Sequence, residues 1–218
     1  MVEVKFCGLT RITDAAHAVE CGAAYVGVIF AGGPRRLSAR TAREVLAPAV
    51  GTTVRRVGVF GDSPASEVLT IAVTVGLDVL QLSGGATLDT YRKLREAFSG
   101  EIWPVARMRP TADRVDLTAA AWFDQAADAV VLDALVDGQL GGTGVALDWA
   151  AIAGDVALLK KRGLVVLAGG LRAENVVAAI TLVRPDVVDV SSGVEVAPGI
   201  KDPDRMRAFV GAVRAIEV

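Results

Sequence analysis

Histidine and cysteine are scarce in this chain. Its 218 residues include two cysteines and a single histidine. Two cysteines are too few for a disulfide framework. Cys7 falls at the end of a strand-like run, and Cys21 near the end of the helical run that follows. That predicts opposite ends of one strand-helix unit and no bond between them. His17 falls mid-helix, and no metal site is expected. An excess of one charge sign is also missing. The 23 Lys and Arg against 25 Asp and Glu leave a formal net charge of -2. No basic block stands out, which argues against nucleic acid as a partner. No apolar run approaches the roughly 20 residues of a membrane span, so no membrane partner is expected. The start of the sequence has no charged-then-apolar leader, and the expected location is the cytoplasm. No linker or low-complexity segment divides the chain, so one domain over 1–218 is expected.

What the chain does have is apolar material, 52% of its residues, which suffices for a sizeable core. It comes in a steady rhythm. Strand-like runs lie at 2–7, 24–30, 54–60, 78–83, 101–106, 129–133, 164–168 and 186–192. Amphipathic stretches such as "TRITDAAHAVECG" and "RAENVVAAITLVRP" lie between them, and "DPDRMRAFVGAVRAIEV" follows the last. Ser38, Ser63 and Asp202 are candidate N-caps. Eight strands, each followed by a helix, predict a (β/α)8 barrel, and near-continuous Val, Ile and Leu runs suit buried parallel strands. A doubly wound sheet is the competitor, but "CGLTRI" after the first strand lacks the Gly-x-Gly-x-x-Gly fingerprint.

In a barrel, functional groups gather at the C-terminal ends of the strands. Side chains alternate along a strand, so Val4 and Phe6 face the helices while Lys5 and Cys7 face the barrel axis. The same alternation turns Asp189 and Ser191 inward on the eighth strand. Strands 1 and 8 are neighbours in a closed barrel, which predicts a Lys5–Asp189 pair. Lys5 is as readily explained by this structural pairing as by chemistry, but beneath Cys7 it is expected to favour a thiolate. Asp133 ends the apolar run "AVVLD". It is either a cap or a carboxyl whose pKa is raised by burial and which serves as a general acid. The glycine-rich "GQLGGTG" after it predicts a closing cover. Gly169 and Gly170 follow strand 7, while Ser191, Ser192 and Gly193 follow strand 8, the usual places for a phosphate in barrels. In "FAGGPRRLS", one of Arg35 and Arg36 is expected to grip a carboxylate and the other to be surface charge.

The motifs "VKFCGLT", "GVIF…PRRLS", "VGVF", "VLQLSG", "VLD…GGTG…LDW", "LAGGLRAENV" and "DVSSGVEVAPGIKD" appear in order along nearly the whole chain. Together they resemble the phosphoribosylanthranilate isomerase family. The resemblance implies a cofactor-free barrel that performs an Amadori rearrangement on a phosphoribosyl amine, in tryptophan biosynthesis. It implies Asp133 as acid, Cys7 as base and Arg35 as the grip on the anthranilate carboxylate. Asp189 contacts the substrate, and Lys5 and Gln81 complete the expected substrate-binding set. Gly169, Gly170, Ser192 and Gly193 hold the phosphate. The expected partner is a small-molecule substrate, and the expected state a monomer or homodimer. Two departures stand out. Ser83 replaces a usual histidine, and Pro104 stands where a strand-5 lysine is usual, with Arg107 nearby as a substitute. The loop after strand 2 is one residue short, which leaves Arg35 and Arg36 both open. A related barrel performing the aminoimidazole isomerisation of histidine synthesis is a weaker reading, since Cys7 stands where those enzymes are expected to carry aspartate. A non-catalytic phosphosugar binder is disfavoured by having both an acid and a base.

Overall fold

The computed structural model describes residues 1–109, 114–115, 118–125, 127–134 and 147–217. The chain alternates β1 (Glu3–Phe6), α1 (Ile12–Glu20), β2 (Tyr25–Ile29), α2 (Ala39–Val45), β3 (Arg55–Phe60), α3 (Ala65–Val75), β4 (Val79–Leu82) and α4 (Leu88–Ala97). It continues with β5 (Glu101–Met108), α5 (Thr118–Asp124), β6 (Ala129–Ala134), α6 (Trp149–Leu159), β7 (Leu164–Leu167), α7 (Val176–Val183) and β8 (Val187–Val190). A small hairpin, β9 (Glu195–Ala197) with β10 (Ile200–Lys201), precedes α8 (Pro203–Arg214). Strands β1 to β8 pair in sequence order, all parallel, and close into a barrel where β8 meets β1. The (β/α)8 expectation is met. The cover expected over 138–144 lies outside the described residues.

Alternation sorts the side chains into two cores. Tyr25, Val57, Val79, Trp103, Val131, Val166 and Val187 pack together inside the lower barrel. The residues between them, such as Phe6, Val26, Leu80, Ile102, Leu132 and Val188, pack between sheet and helices. Val, Ile and Leu dominate because a strand covered on both faces has no solvated side to leave polar.

The helices start where short polar side chains supply an acceptor for otherwise unpaired N–H groups. Ser38 accepts from the Thr41 N–H at α2, and Asp202 from the Asp204 and Arg205 N–H groups at α8. Ser63 does not act this way. The cap position of α3 is Pro64, which has no side-chain acceptor to offer, and the helix begins one residue beyond it.

Candidate active site

One cavity opens at the C-terminal end of the strands. It is lined by Cys7, Arg35, Gln81, Ser83, Arg107, Asp133, Gly169, Gly170, Asp189, Ser191, Ser192 and Gly193, with a few apolar residues. Each strand residue among these lies two positions beyond, or at the end of, the run that fills the lower barrel. The strand pleat that builds the core therefore also aims the polar groups.

Lys5 sits just below the cavity and is wholly buried. It is the Cα partner of Asp189 across the β1–β8 seam, and its Nζ donates to Asp189 Oδ2 at 2.6 Å. The expected pair is present. Burial alone would lower the Lys5 ammonium, but Asp189 and the Cys7 thiol more than offset it, and the group is raised. Lys5 therefore stays charged.

The expected thiolate is not what the resting site favours. Burial pushes the Cys7 thiol above its ordinary range, and the pull of Lys5 does not overcome it. A cation beside a cysteine lowers its pKa only when the gain exceeds the cost of desolvating the anion. For Asp133 the upward shift expected from burial is present. Burial lifts its carboxyl to about 6, the Asp189 charge adds to the shift, and Arg107 opposes it. Two buried acceptors at the cavity, Gln81 Oε1 and Asp189 Oδ1, have no partner among the described residues. An unpaired buried acceptor costs about 1–3 kcal/mol, so the site is suited to a ligand bearing hydroxyl or N–H donors.

Arg35 and Arg36 part company. Arg36 is exposed, whereas Arg35 turns into the cavity. Its Nε donates to Glu195 Oε1 at 2.9 Å and its Nη2 to Oε2 at 2.7 Å. The stem of Arg35 crosses over Gly8, where a Cβ would lie 2.7 Å from its Cδ. Gly8 also has φ +70°, so both the turn after Cys7 and the passage of Arg35 require glycine.

The departures in the middle strands also resolve. Pro104 is the Cα partner of Leu82 and shares the helix-facing side of β5 with Ile102 and Met108. It has no place in the cavity. The inward cation of β5 is Arg107, the Cα partner of Asp133, whose Nη2 donates to the Ser83 carbonyl at 3.1 Å. The Ser83 hydroxyl stands 3.5 Å from Gln81 Nε2.

The two loops expected to hold the phosphate differ. After β8, Ser192–Val194 forms a single 3-10 turn. Here a Cβ on Gly193 would run into the Leu171 carbonyl of the neighbouring loop, so close packing of the two loops is reason enough for that glycine. After β7, Gly169 and Gly170 are separated from α7, which begins at Val176, by a short turn. The intervening turn is tied by Asn175, whose Nδ2 donates to the Gly170 carbonyl at 2.9 Å and whose Oδ1 accepts from the Arg172 N–H at 2.8 Å. Among the described residues no three His, Cys, Asp or Glu are grouped to hold a metal ion.

Glu195 and Lys201 escaped the sequence reading. Lys201 is fully buried. Its Nζ donates to the Cys7 carbonyl at 2.6 Å, the Ser191 carbonyl at 3.0 Å and Glu195 Oε1 at 2.8 Å. Burial lowers the Lys201 ammonium against the opposing pull of Glu195. Burial works to raise Glu195, but Arg35 and Lys201 outweigh it and hold the carboxyl below its ordinary value. The signal was there in "VEVAPGIK", where two opposite charges stand among apolar residues, the pattern that singled out Lys5 and Asp189.

Comparison with known proteins agrees with this geometry. Residues 4–212 match the family described as N-(5'phosphoribosyl)anthranilate (PRA) isomerase. A Paracoccus denitrificans N-(5'-phosphoribosyl)anthranilate isomerase is 42% identical over 218 residues, covering 98% of each chain. The phosphoribosyl anthranilate isomerase of Thermotoga maritima superposes with a TM-score of 0.85 at 33% identity, covering 99% of this chain and all of the other. A second structure of that enzyme, described as monomers generated from a dimeric protein, gives 0.77 at 32% with the same coverage. A phosphoribosyl anthranilate isomerase solved with reduced 1-(o-carboxyphenylamino)-1-deoxyribulose 5-phosphate gives 0.79 at 32%, again with 99% and 100% covered. With fold, motif order and identity agreeing from end to end, the chain belongs to the N-(5'-phosphoribosyl)anthranilate isomerase family.

Proposed function

We propose that this barrel isomerises N-(5'-phosphoribosyl)anthranilate with Asp133 as general acid and Cys7 as general base. The reaction itself follows from the family: the chain is a phosphoribosylanthranilate isomerase of tryptophan biosynthesis. The residue roles are our reading. Asp133 gives its proton to the furanose ring oxygen as the C1'–O bond breaks, and the anthranilate nitrogen lone pair forms the iminium. The iminium acidifies the C2' proton, which Cys7 removes to give the enolamine. Tautomerisation then yields the 1-deoxyribulose ketone, with no net oxidation. A carboxyl lifted to about 6 is suited to donating a proton near neutral pH.

Arg35 grips the anthranilate carboxylate in this reading, and Asp189 and Gln81 meet the sugar from below; Lys5, expected among the substrate contacts, is wholly buried beneath the cavity and holds Asp189 instead. Gly169, Gly170, Ser192 and Gly193 hold the phosphate. The observation that carries it is Cys7 and Asp133 lining one cavity whose rim also presents Arg35 and both glycine loops. The biosynthetic role supports a cytoplasmic enzyme with a small-molecule substrate. Among the described residues no helix is long and apolar enough to cross a membrane. We read the assembly as a monomer or a homodimer, the second supported by the dimeric Thermotoga relative.

The test forms the labile substrate in situ from phosphoribosyl pyrophosphate and anthranilate and follows its fluorescence. Turnover is expected from the unmodified protein, and its absence with freshly folded enzyme sinks the reading.

A further inference from the structure

Arg35 poses a physical problem. It projects from a loop most of whose residues are exposed, on one of the most flexible side chains available. Left to itself, it would lose much of its grip to the entropy of being held still. The structure holds it from behind. Glu195 takes the Nε–Nη2 side of the guanidinium with both carboxylate oxygens. That leaves the edge formed by Nη1 and Nη2 open, and among the described residues Nη1 has no hydrogen-bond partner. A guanidinium pairs bidentately with one carboxylate along each such edge. Glu195 is itself fixed. Its Oε1 also accepts from Lys201 Nζ at 2.8 Å, and the same ammonium is bound to the carbonyls of Cys7 and Ser191. Neither Glu195 nor Lys201 lines the cavity, whereas Arg35 does.

We propose that Glu195, anchored by Lys201 to the ends of β1 and β8, is the positioning residue that aims the open edge of Arg35 at the substrate's carboxylate. The proposal rests on the reading of Arg35 as that carboxylate's grip. It assigns Glu195 no contact with the reacting atoms. Its effect therefore depends on the ligand's carboxylate and passes wholly through Arg35.

Two stable ligands test this. One is the reduced product analogue, which carries the ortho carboxylate. The other is its counterpart made from aniline, which lacks it. Binding of each is measured by calorimetry to the unmodified enzyme, to Glu195→Gln, to Arg35→Met and to the double variant. The unmodified enzyme is expected to prefer the carboxylated ligand. Glu195→Gln is expected to cut that preference by about tenfold or more, because a charge-assisted bidentate pair is lost or misaimed, while leaving the aniline ligand's affinity nearly unchanged. Arg35→Met should abolish the preference, and the double variant should lose nothing further. Equal weakening of both ligands by Glu195→Gln, or an unchanged preference, overturns the proposal. Should Glu195→Gln fail to fold, Glu195→Asp is read the same way, since it keeps the charge but withdraws the carboxylate by one methylene. Failure of the underlying reading is separately visible: Arg35→Met alone would then leave the preference intact.

Discussion

The floor and the mouth of the barrel are built from the same strands, two residues apart, and they handle polarity in opposite ways. On the floor, Val79, Val131 and Val187 pack with Tyr25 and Trp103, whose rings meet edge to face at 4.8 Å. The polar atoms nearby are satisfied: Trp103 Nε1 donates to Glu101 Oε2 at 2.8 Å, and Glu101 also pairs with Arg55. One step further along the same strands stand Gln81, Asp133 and Asp189. Here, among the described residues, Gln81 Oε1 and Asp189 Oδ1 lack partners, and burial makes the Asp133 carboxyl hold its proton more tightly than a free one would. A satisfied layer stabilises the protein, and an unsatisfied one waits for a ligand. The separation between stability and chemistry in this barrel is a single pleat.

Substitutions at the two levels should therefore separate cleanly. At the mouth, Cys7→Ser and Asp133→Asn are each expected to lower turnover by about 10²–10⁴-fold, the usual weight of a positioned acid or base. Steady-state fluorescence measures this, and near-normal rates in either variant would refute its role. On the floor, Trp103→Ala is expected to cost about 3–5 kcal/mol of stability while leaving kcat/KM within a few-fold below its melting range. Urea unfolding and low-temperature kinetics check the two halves, and a large kinetic loss with little destabilisation would break the contrast.

The pH profile sharpens the comparison further. In the proposed mechanism the active form carries a protonated Asp133 and an ionised Cys7, which is a minor arrangement of the singly protonated pair. Its total proton count prevails between the two titrations. So kcat/KM is expected to fall below about pH 6 and to hold level through neutral pH until the raised thiol titrates. Such limbs belong to the pair, not to one residue. Because Arg107 holds the Asp133 carboxyl down, Arg107→Met should move the acid limb upward. A limb that stays put or moves down contradicts the assignment.

The smallest effect is on stability. The Asp133 carboxyl stands at about 6 in the fold against 3.8 for the free group. Between those values the unfolded chain gives up its proton first, so stability declines as pH rises through the window and stays reduced above it. Asp133→Asn is expected to recover up to roughly 3 kcal/mol at pH 7 and almost nothing below the free carboxyl's pKa. Equal gains in thermal denaturation at acid and neutral pH would show that burial of charge is not the cause.

Much of this was legible in the sequence, for local reasons. Strand alternation alone turned Lys5, Cys7 and Asp189 inward, and closure of the barrel made the Lys5–Asp189 pair follow. Periodicity also carried the helices, though α5 and α6 stood out less, one short and one apolar nearly all round. Signs that depend on a balance were harder. Lys5 beside Cys7 reads as a thiolate until burial is weighed, and only the fold supplies the burial. Pro104 was placed one residue off the inward face, an error that strand alternation punishes in full. Glu195 and Lys201 stand out locally as charges among apolar residues, but that their hairpin docks against the end of β1 is visible only in the fold.

The pairings at the seam bear on how the enzyme comes into being. Lys5 meets Asp189 across 184 positions, and Lys201 meets the Cys7 carbonyl across 194. Contacts between the two ends of a chain carry the largest loop-closure cost and tend to come late in folding. A chain lacking its final quarter still has its proposed acid and base. It lacks the carboxylate that pairs with Lys5 and the ammonium that ties down the turn beneath the thiol. Catalytic competence therefore arrives with the last strand, and regain of activity during refolding is a direct clock for closure of the barrel.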